Sequence, residues 1–397
     1  MDELLLVGGG IGGLAAALAL GQQGVSSTLL EQADSFLEVG AGIGLGPNAL
    51  RRLQTWGLDK PLRDRGFIPS ELEVRSAQDG QLLGSLQMAE QFERRYGAPY
   101  MTIHRADLHK VLLDASLAQG MSDLQLSKRV TAIDPSAAGV QLTVQNADQS
   151  HSSFQSNVVI GTDGVNSEVR RQVWGPSGLQ ASGHRAYRTL MPRHLLPAAW
   201  RTDAMGLWLG RRLHVVHYPV SGGDWLNLVV LLESGDPAAE PGWDQHRTPQ
   251  QTQTDLQHAM QGTCSRLQDL VRMAEHWRAW ALFDRHPLRG ARYMVQGRVA
   301  LLGDAAHPML PYLAQGAGMA IEDAQVFSQC WTQSSKNPSE RLQAYAQARW
   351  KRVARVQQRA RRNAQIFHAD GVLAWARDAA MRLGGSWAMD QPWLYGR

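Results

Sequence analysis

The sequence predicts an α/β fold in which a parallel-sheet domain is interrupted by a β-rich second domain and closed by a C-terminal helical segment. Three observations predict it. Strand–glycine–helix junctions stand near the start, in the middle and late in the chain, strand-like runs rich in Trp and His separate the last two, and residues 340–385 carry a helical pattern. At 397 residues with 44% hydrophobic content, the chain suits two or three domains with real cores.

The first junction is the most informative. A short apolar run, Leu4 to Val7, meets VGGGIGG; an Ala/Leu-rich helix follows over Leu14 to Leu20, and a second apolar run, Thr28 to Leu30, ends in Glu31. This is a Rossmann-like βαβ unit suited to a dinucleotide. Gly8 permits the tight turn, Gly10 the approach of a pyrophosphate and Gly13 the packing of helix on sheet, while the helix start offers N–H groups to phosphate and Glu31 accepts from a ribose.

Next, EVGAGIGLGPNALRRL reads as a glycine loop able to lie against a planar ring, followed by a helix carrying Leu50, Leu53 and Trp56. Residues 71 to 88 alternate around Asp79-Gly80, which predicts a hairpin and a first excursion into the second domain. From Tyr100 the α/β pattern returns, with Arg105 at a helix head as a phosphate partner and Asp107 as a cap candidate. Short strands over 124 to 160 end in GTDGVNSEVRR, which sets Asp163 at the end of an apolar strand, where α/β sheets bind ligands.

Between Pro176 and Phe283 the stretches LHVVHYPV and WLNLVVLLE read as strands, the segment from Glu233 to Gln253 as a polar loop, and Thr254 to Glu275 as one helix. The α/β signature resumes as GRVALLGDAAHPMLPYLAQGAG, where Asp304 ends a strand and a helix starts at Gly316. The expected domains are therefore 1–70, 98–175 and 284–339 for the dinucleotide; 71–97 and 176–283 for the β-rich part; and 340–397 for the helical tail. In that tail Leu342, Tyr345, Val353 and Val356 share one side, and the cations between Arg341 and Arg362 are expected on a solvated outer face.

Bulk properties exclude several classes. A formal charge of +4 and a pI near 9.2 suit small anionic substrates and require no nucleic acid. Cys264 and Cys330 fit neither a zinc-ligand spacing nor a disulfide framework, so no metal site is expected and a reducing cytoplasm fits. Asp2 and Glu3 stand where a signal peptide would carry positive charge, and no apolar run is long enough for an integral membrane helix.

Taken together, VGGGIGG with Glu31, GTDGVNSEVRR and GDAAHPMLPYLAQGAG, joined by AGIGLGPNALRRL, YGAPYMTIHRADLH and QPWLYGR, resemble the single-component FAD-dependent aromatic hydroxylases, the family of hydroxybenzoate, salicylate and hydroxynicotinate hydroxylases. The resemblance covers most of the chain. It implies a p-hydroxybenzoate hydroxylase-like fold with FAD as cofactor, NADH or NADPH as co-substrate, O2 as oxidant, a small phenolic acid as substrate and a homodimer as one expected assembly. By the same resemblance Gly8, Gly10, Gly13, Glu31, Gln32, Arg105, Asp163, Asp304, Gly316 and Ala317 hold the flavin.

Similar family members carry His-x-x-x-Tyr in the strand crossing the substrate cavity, and this chain has His214 and Tyr218 at that spacing. Residues four apart on a strand share a face, so His214 and Tyr218 line one wall and His217 points away. The resemblance makes His214 the base that removes the phenolic proton and Tyr218 its hydrogen-bonding companion, with Met309, Pro311 and Tyr312 bordering the ring. Substrate identity stays open: hydroxynicotinate enzymes have histidines where this chain has Gly44 and Tyr312, and hydroxybenzoate enzymes a glutamine where it has Pro311. N-heterocyclic and polyketide-like substrates are alternatives within the fold. Outside it stand a nicotinamide dehydrogenase using the first motif alone and a nucleic-acid-binding protein using the basic tail.

Overall fold

A computed structural model describes residues 4–36, 40–176, 178–234, 248–333 and 337–396. Asp2, Glu3 and most of the expected polar loop after Glu233 lie outside the described residues, as does Arg397 of QPWLYGR.

The strands of the first sheet are short and apolar because both of its faces are covered. In order across the sheet they are Val295–Gln296, Val299–Leu301, Val159–Gly161, Leu5–Val7, Ser27–Leu30 and Ser122–Gln125, parallel except for the first pair. Helix Ile11–Gly21 joins Leu5–Val7 to its neighbour Ser27–Leu30 and is buried along nearly its whole length, between helices Arg105–Gln119 and Gly316–Thr332. All three strand–glycine–helix junctions meet at one edge of this sheet: Val7, Gly161 and Leu301 end adjacent parallel strands.

A seven-stranded sheet forms the β-rich part, in the order Arg278–Asp284, Gln180–Pro192, Trp225–Glu233, Leu213–Val220, Met205–Gly210, Glu71–Ser76 and Leu82–Gln87. The hairpin expected over 71 to 88 is its outer edge, joined to Met205–Gly210 by a parallel pairing. Strand alternation divides the side chains cleanly. Leu213, Val215, Leu228 and Val230 pack into a core with Trp200, Trp208 and Leu267, whereas Val229, Leu231 and Ala186 pack with Tyr312 on the opposite face. A smaller antiparallel sheet is made by Arg129–Pro135, Val140–Gln145 and His151–Ser156.

Two expectations need correction. The helix foreseen over Thr254 to Glu275 is two helices, Pro249–Ala259 and Ser265–Arg272, with Gly262 at φ +79° in the turn between them. The tail cations do not all face solvent along helix Pro338–Phe367. Arg349 reaches inward to Glu322 and Asp323, at 2.6 Å from each, Arg352 also pairs with Glu322, and Arg361 pairs with Asp284. The missing signal was the partners, since Glu322 and Asp323 are fully buried in a helix whose sequence otherwise looks apolar. Leu342, Tyr345, Val353 and Val356 are buried as their periodicity predicts.

Candidate active site

A cavity of about 940 Å³ lies between the edge of the parallel sheet and the face of the seven-stranded sheet. Ile11, the first residue of helix Ile11–Gly21, borders it, and the backbone turn that precedes this residue is tightly built. Gly8 turns at φ +112°, and a Cβ on Gly13 would lie 1.9 Å from the Gly8 carbonyl oxygen, so the helix starts hard against the turn. Glu31 holds this turn from the next strand: its Oε2 accepts from the Gly9 N–H at 2.6 Å and its Oε1 from the Ala33 N–H at 2.8 Å. Each carboxylate oxygen keeps lone-pair capacity for a ribose hydroxyl. Gln32 beside it is exposed.

Helices Ile11–Gly21 and Gly316–Thr332 both begin without a side-chain cap, at Gly10 and Gln315. Their first N–H groups and the positive ends of their dipoles are therefore available to an anion or a ring oxygen. Gly316, Ala317 and Asp304 border the cavity, and Asp304 faces the start of the second of these helices. The Asp304 side chain is open to the cavity yet ringed by protein. This enclosure pushes its carboxyl above the usual range, against the opposing pull of His307 and Arg105. Strand Gly42–Leu45 lays Gly42, Ile43 and Gly44 along another wall.

These features fit a flavin dinucleotide. A glycine cradle, two uncapped helix starts and two carboxylates match its pyrophosphate, ring and sugar hydroxyls in kind. Asp163 accepts from the Ser167 hydroxyl at 2.5 Å and the Val169 N–H at 3.0 Å, and so supports the start of helix Glu168–Trp174. Val165 and Asn166, next in the same turn, line the cavity.

Elsewhere the wall is built from side chains. His214 and Tyr218 both line the cavity from strand Leu213–Val220, together with Val216. His217, on the opposite face, packs its ring 5.2 Å from that of Trp200. Tyr218 donates to the Gly42 carbonyl at 2.8 Å, which ties the β-rich wall to the glycine strand, and burial pushes its phenol up to about 12. Met309, Pro311 and Tyr312 border the same space, and the Tyr312 ring lies 4.8 Å from that of His214.

Three further participants were not legible beforehand. His368, at the end of helix Pro338–Phe367, sets its Nε2 at 2.8 Å from His214 Nδ1. His184 bonds through Nδ1 to the Tyr312 hydroxyl and stacks on His368, with centroids 5.0 Å apart and planes inclined by 21°. Arg188 stands between this cavity and a larger hollow of about 1860 Å³ that Arg105 also borders. Its guanidinium lies 4.3 Å over the Trp280 ring, its Nε has no hydrogen-bond partner, and burial pulls it down to about 10.

Burial, then the neighbouring imidazoles, hold His214 well below its ordinary range, so it is a neutral ring at neutral pH. His184, Glu233 and His368 bring potential ligand atoms within 4.8 Å of one another. Because the two imidazoles are stacked, their in-plane lone pairs run nearly parallel instead of converging on a point. The geometry suits proton handling better than a cation.

A family model described as FAD binding domain matches residues 2–360. The chain is 35% identical to 3-hydroxybenzoate 6-hydroxylase of Polaromonas naphthalenivorans over 99% of its own length and 95% of that protein. It is 32% identical to 6-hydroxynicotinate 3-monooxygenase of Bordetella bronchiseptica over 89% of each. Among solved structures, a substrate complex of salicylate hydroxylase superposes with TM-score 0.79 at 26% identity, covering 99% of this chain and 95% of that one. Klebsiella pneumoniae HpxO with FAD and uric acid gives 0.82 at 25% identity, covering 98% and 94%.

Proposed function

Because this chain belongs to the FAD binding domain family and is an FAD-dependent aromatic hydroxylase, we propose that it hydroxylates a small monocyclic acid bearing a ring hydroxyl, of hydroxybenzoate, salicylate or hydroxynicotinate type. The observation that carries this reading is one neutral imidazole, His214, lining the cavity with Val216, Met309, Pro311 and Tyr312, with Arg188 at its border. An apolar slot with few oriented polar groups recognises one flat ring and its oxygens.

Bound FAD supplies the chemistry that draws reducing equivalents from NADH or NADPH and delivers activated oxygen from O2 to the ring. The chain's residues do the rest. His214 removes the ring-hydroxyl proton, which raises electron density on the carbon to be attacked. Arg188 offers an incompletely partnered guanidinium to the substrate carboxylate, and Tyr312 and Met309 keep the ring flat and exclude water. The hollow beyond Arg105 and Arg188, which Arg272 and Arg278 also border, offers cations to the phosphates of the nicotinamide co-substrate. No helix of the described residues is long and apolar enough to cross a membrane, and we place the reaction in the cytoplasm.

The test is substrate-stimulated NAD(P)H oxidation over hydroxybenzoate isomers, salicylate and 6-hydroxynicotinate, with product identified. Acceleration with a hydroxylated product from at least one acid is expected. Equal stimulation by neutral alkylbenzenes, or oxidation with no hydroxylated product from any acid, refutes the reading.

A further inference from the structure

His214 is poorly suited to keep the proton it takes. Only 2% of the residue is exposed, and its enclosure together with His368 and His184 opposes a charged ring. A phenol with an unperturbed pKa near ~10 will not leave its proton there for long. A route onward is visible. His214 Nδ1 meets His368 Nε2 at 2.8 Å, and the second nitrogen of His368, Nδ1, buried without a hydrogen-bond partner, lies 3.4 Å from Glu233 Oε1, an ion-pair distance. Glu233 is the last residue of strand Trp225–Glu233, and its side chain is 32% exposed. Arg212, 60% exposed, donates from Nε to Glu233 Oε2 at 3.2 Å.

The backbone fixes this line. The Arg212 N–H donates to the His368 carbonyl at 3.1 Å, and the Glu233 N–H to the Arg212 carbonyl at 3.0 Å, so the strand ends and the helix end are pinned together. His214 is faced by Tyr312, Phe367, His184 and His368; His368 by His184, His214, Glu233 and Arg377; and the nearby Asp370 is paired with Arg211. Glu233 is the one carboxylate aimed at the histidines among these groups.

Resting on the hydroxylase reading above, we propose that His214, His368 and Glu233 form a relay that carries the substrate's ring-hydroxyl proton from the cavity to the surface. His214 Nε2 takes the proton as the O–H bond breaks, and the oxygen keeps the electron pair. His214 gives its Nδ1 proton to His368 Nε2, His368 gives its Nδ1 proton to the Glu233 carboxylate, and Glu233 hands it to water. Both rings finish neutral with their protons on the opposite nitrogens, and the same line run inward restores them while returning a proton to the product. His184, bonded to Tyr312 and stacked on His368, is a positioning residue.

The experiment compares wild-type, Glu233→Gln, Glu233→Asp and His368→Gln enzymes, all loaded with FAD. With whichever acid of the panel is hydroxylated, Glu233→Gln should slow product formation by about tenfold at neutral pH and move its acid limb down by about one pH unit, because the lost carboxylate no longer favours a protonated histidine, with Glu233→Asp largely restoring both. His368→Gln should release more hydrogen peroxide per NAD(P)H than Glu233→Gln. Unchanged rates, coupling and pH profiles overturn the relay, as does a lowered melting temperature with an unmoved profile. Imidazole ¹⁵N titration of the same flavin-loaded proteins without substrate separates the relay from the substrate reading. If no acid is hydroxylated, that reading falls. Coupled titration of His214 and His368 that changes in Glu233→Gln still supports the line, and independent titration overturns it.

Discussion

The two ends of the cavity are made of different materials. At the end proposed for the flavin the walls are turns and helix starts, so each position demands a residue type for steric reasons: Gly13 is a glycine because a Cβ there would lie 1.9 Å from a carbonyl oxygen. At the end proposed for the substrate the wall is a set of side chains from separate elements, with His214 and Tyr312 lining it and His184 and His368 packed behind them, the rings tilted, edge to face or stacked. The first kind of site tolerates almost no change and leaves a local motif. The second tolerates change one residue at a time and leaves none.

That difference can be broken most forcefully at Gly13. Gly13→Val forces the helix start away from the turn, and the purified protein should be colourless or insoluble; an absorption spectrum showing full FAD content would mean that the cradle is softer than its geometry implies. A change at the other end should leave the flavin in place. His214→Gln is expected to lower product formation by ~10²-fold while NAD(P)H consumption continues and hydrogen peroxide accumulates. Product per NAD(P)H measures this, and a fully coupled variant would mean that the base is elsewhere.

Acid should distinguish the ends as well. Burial pulls His184 down to about 4 and His217 to about 3, and holds His214 well below its ordinary range. An unfolded histidine titrates near ~6.5. Below that pH the unfolded chain binds protons that the folded chain refuses, so the stability present above it is lost as pH falls toward 4, by about 1.4 kcal/mol per pH unit for each fully buried ring. Thermal melts from pH 7.5 to 5 should show the decline, and His217→Leu, which removes one such ring from the tryptophan-packed face, should flatten it. The smallest effect belongs to Tyr218→Phe. Loss of its bond to the Gly42 carbonyl should cost about 1 kcal/mol in chemical denaturation and little in coupling. Strong uncoupling would show that the hydroxyl serves the substrate.

How much could be read beforehand follows the same division. The three glycine junctions, the hairpin over 71 to 88 and the opposite facing of His214 and His217 are local patterns, and the structure contains each of them. Asp163 stood at a legible junction, but whether its carboxylate faces a ligand or caps its own helix depends on Ser167 and Val169, which the motif does not decide. His368 lay in an alanine- and arginine-rich helix with nothing nearby to mark it, because its partner is 154 positions away in sequence. The inward turn of Arg349 was hidden for the same reason. Its counterions, Glu322 and Asp323, belong to a helix read only for its glycine-rich start.

One strand carries a further consequence for how such an enzyme is altered. In Leu213–Val220 the side chains of Leu213, Val215 and His217 belong to the tryptophan-packed core and those of His214, Val216 and Tyr218 to the cavity. Selection, natural or in the laboratory, therefore has independent access to the two. Val216 and its cross-strand partner Val229 can be enlarged or reduced to admit a different ring without disturbing Val215 or His217 behind them. Substrate range in this scaffold is a matter of every second residue.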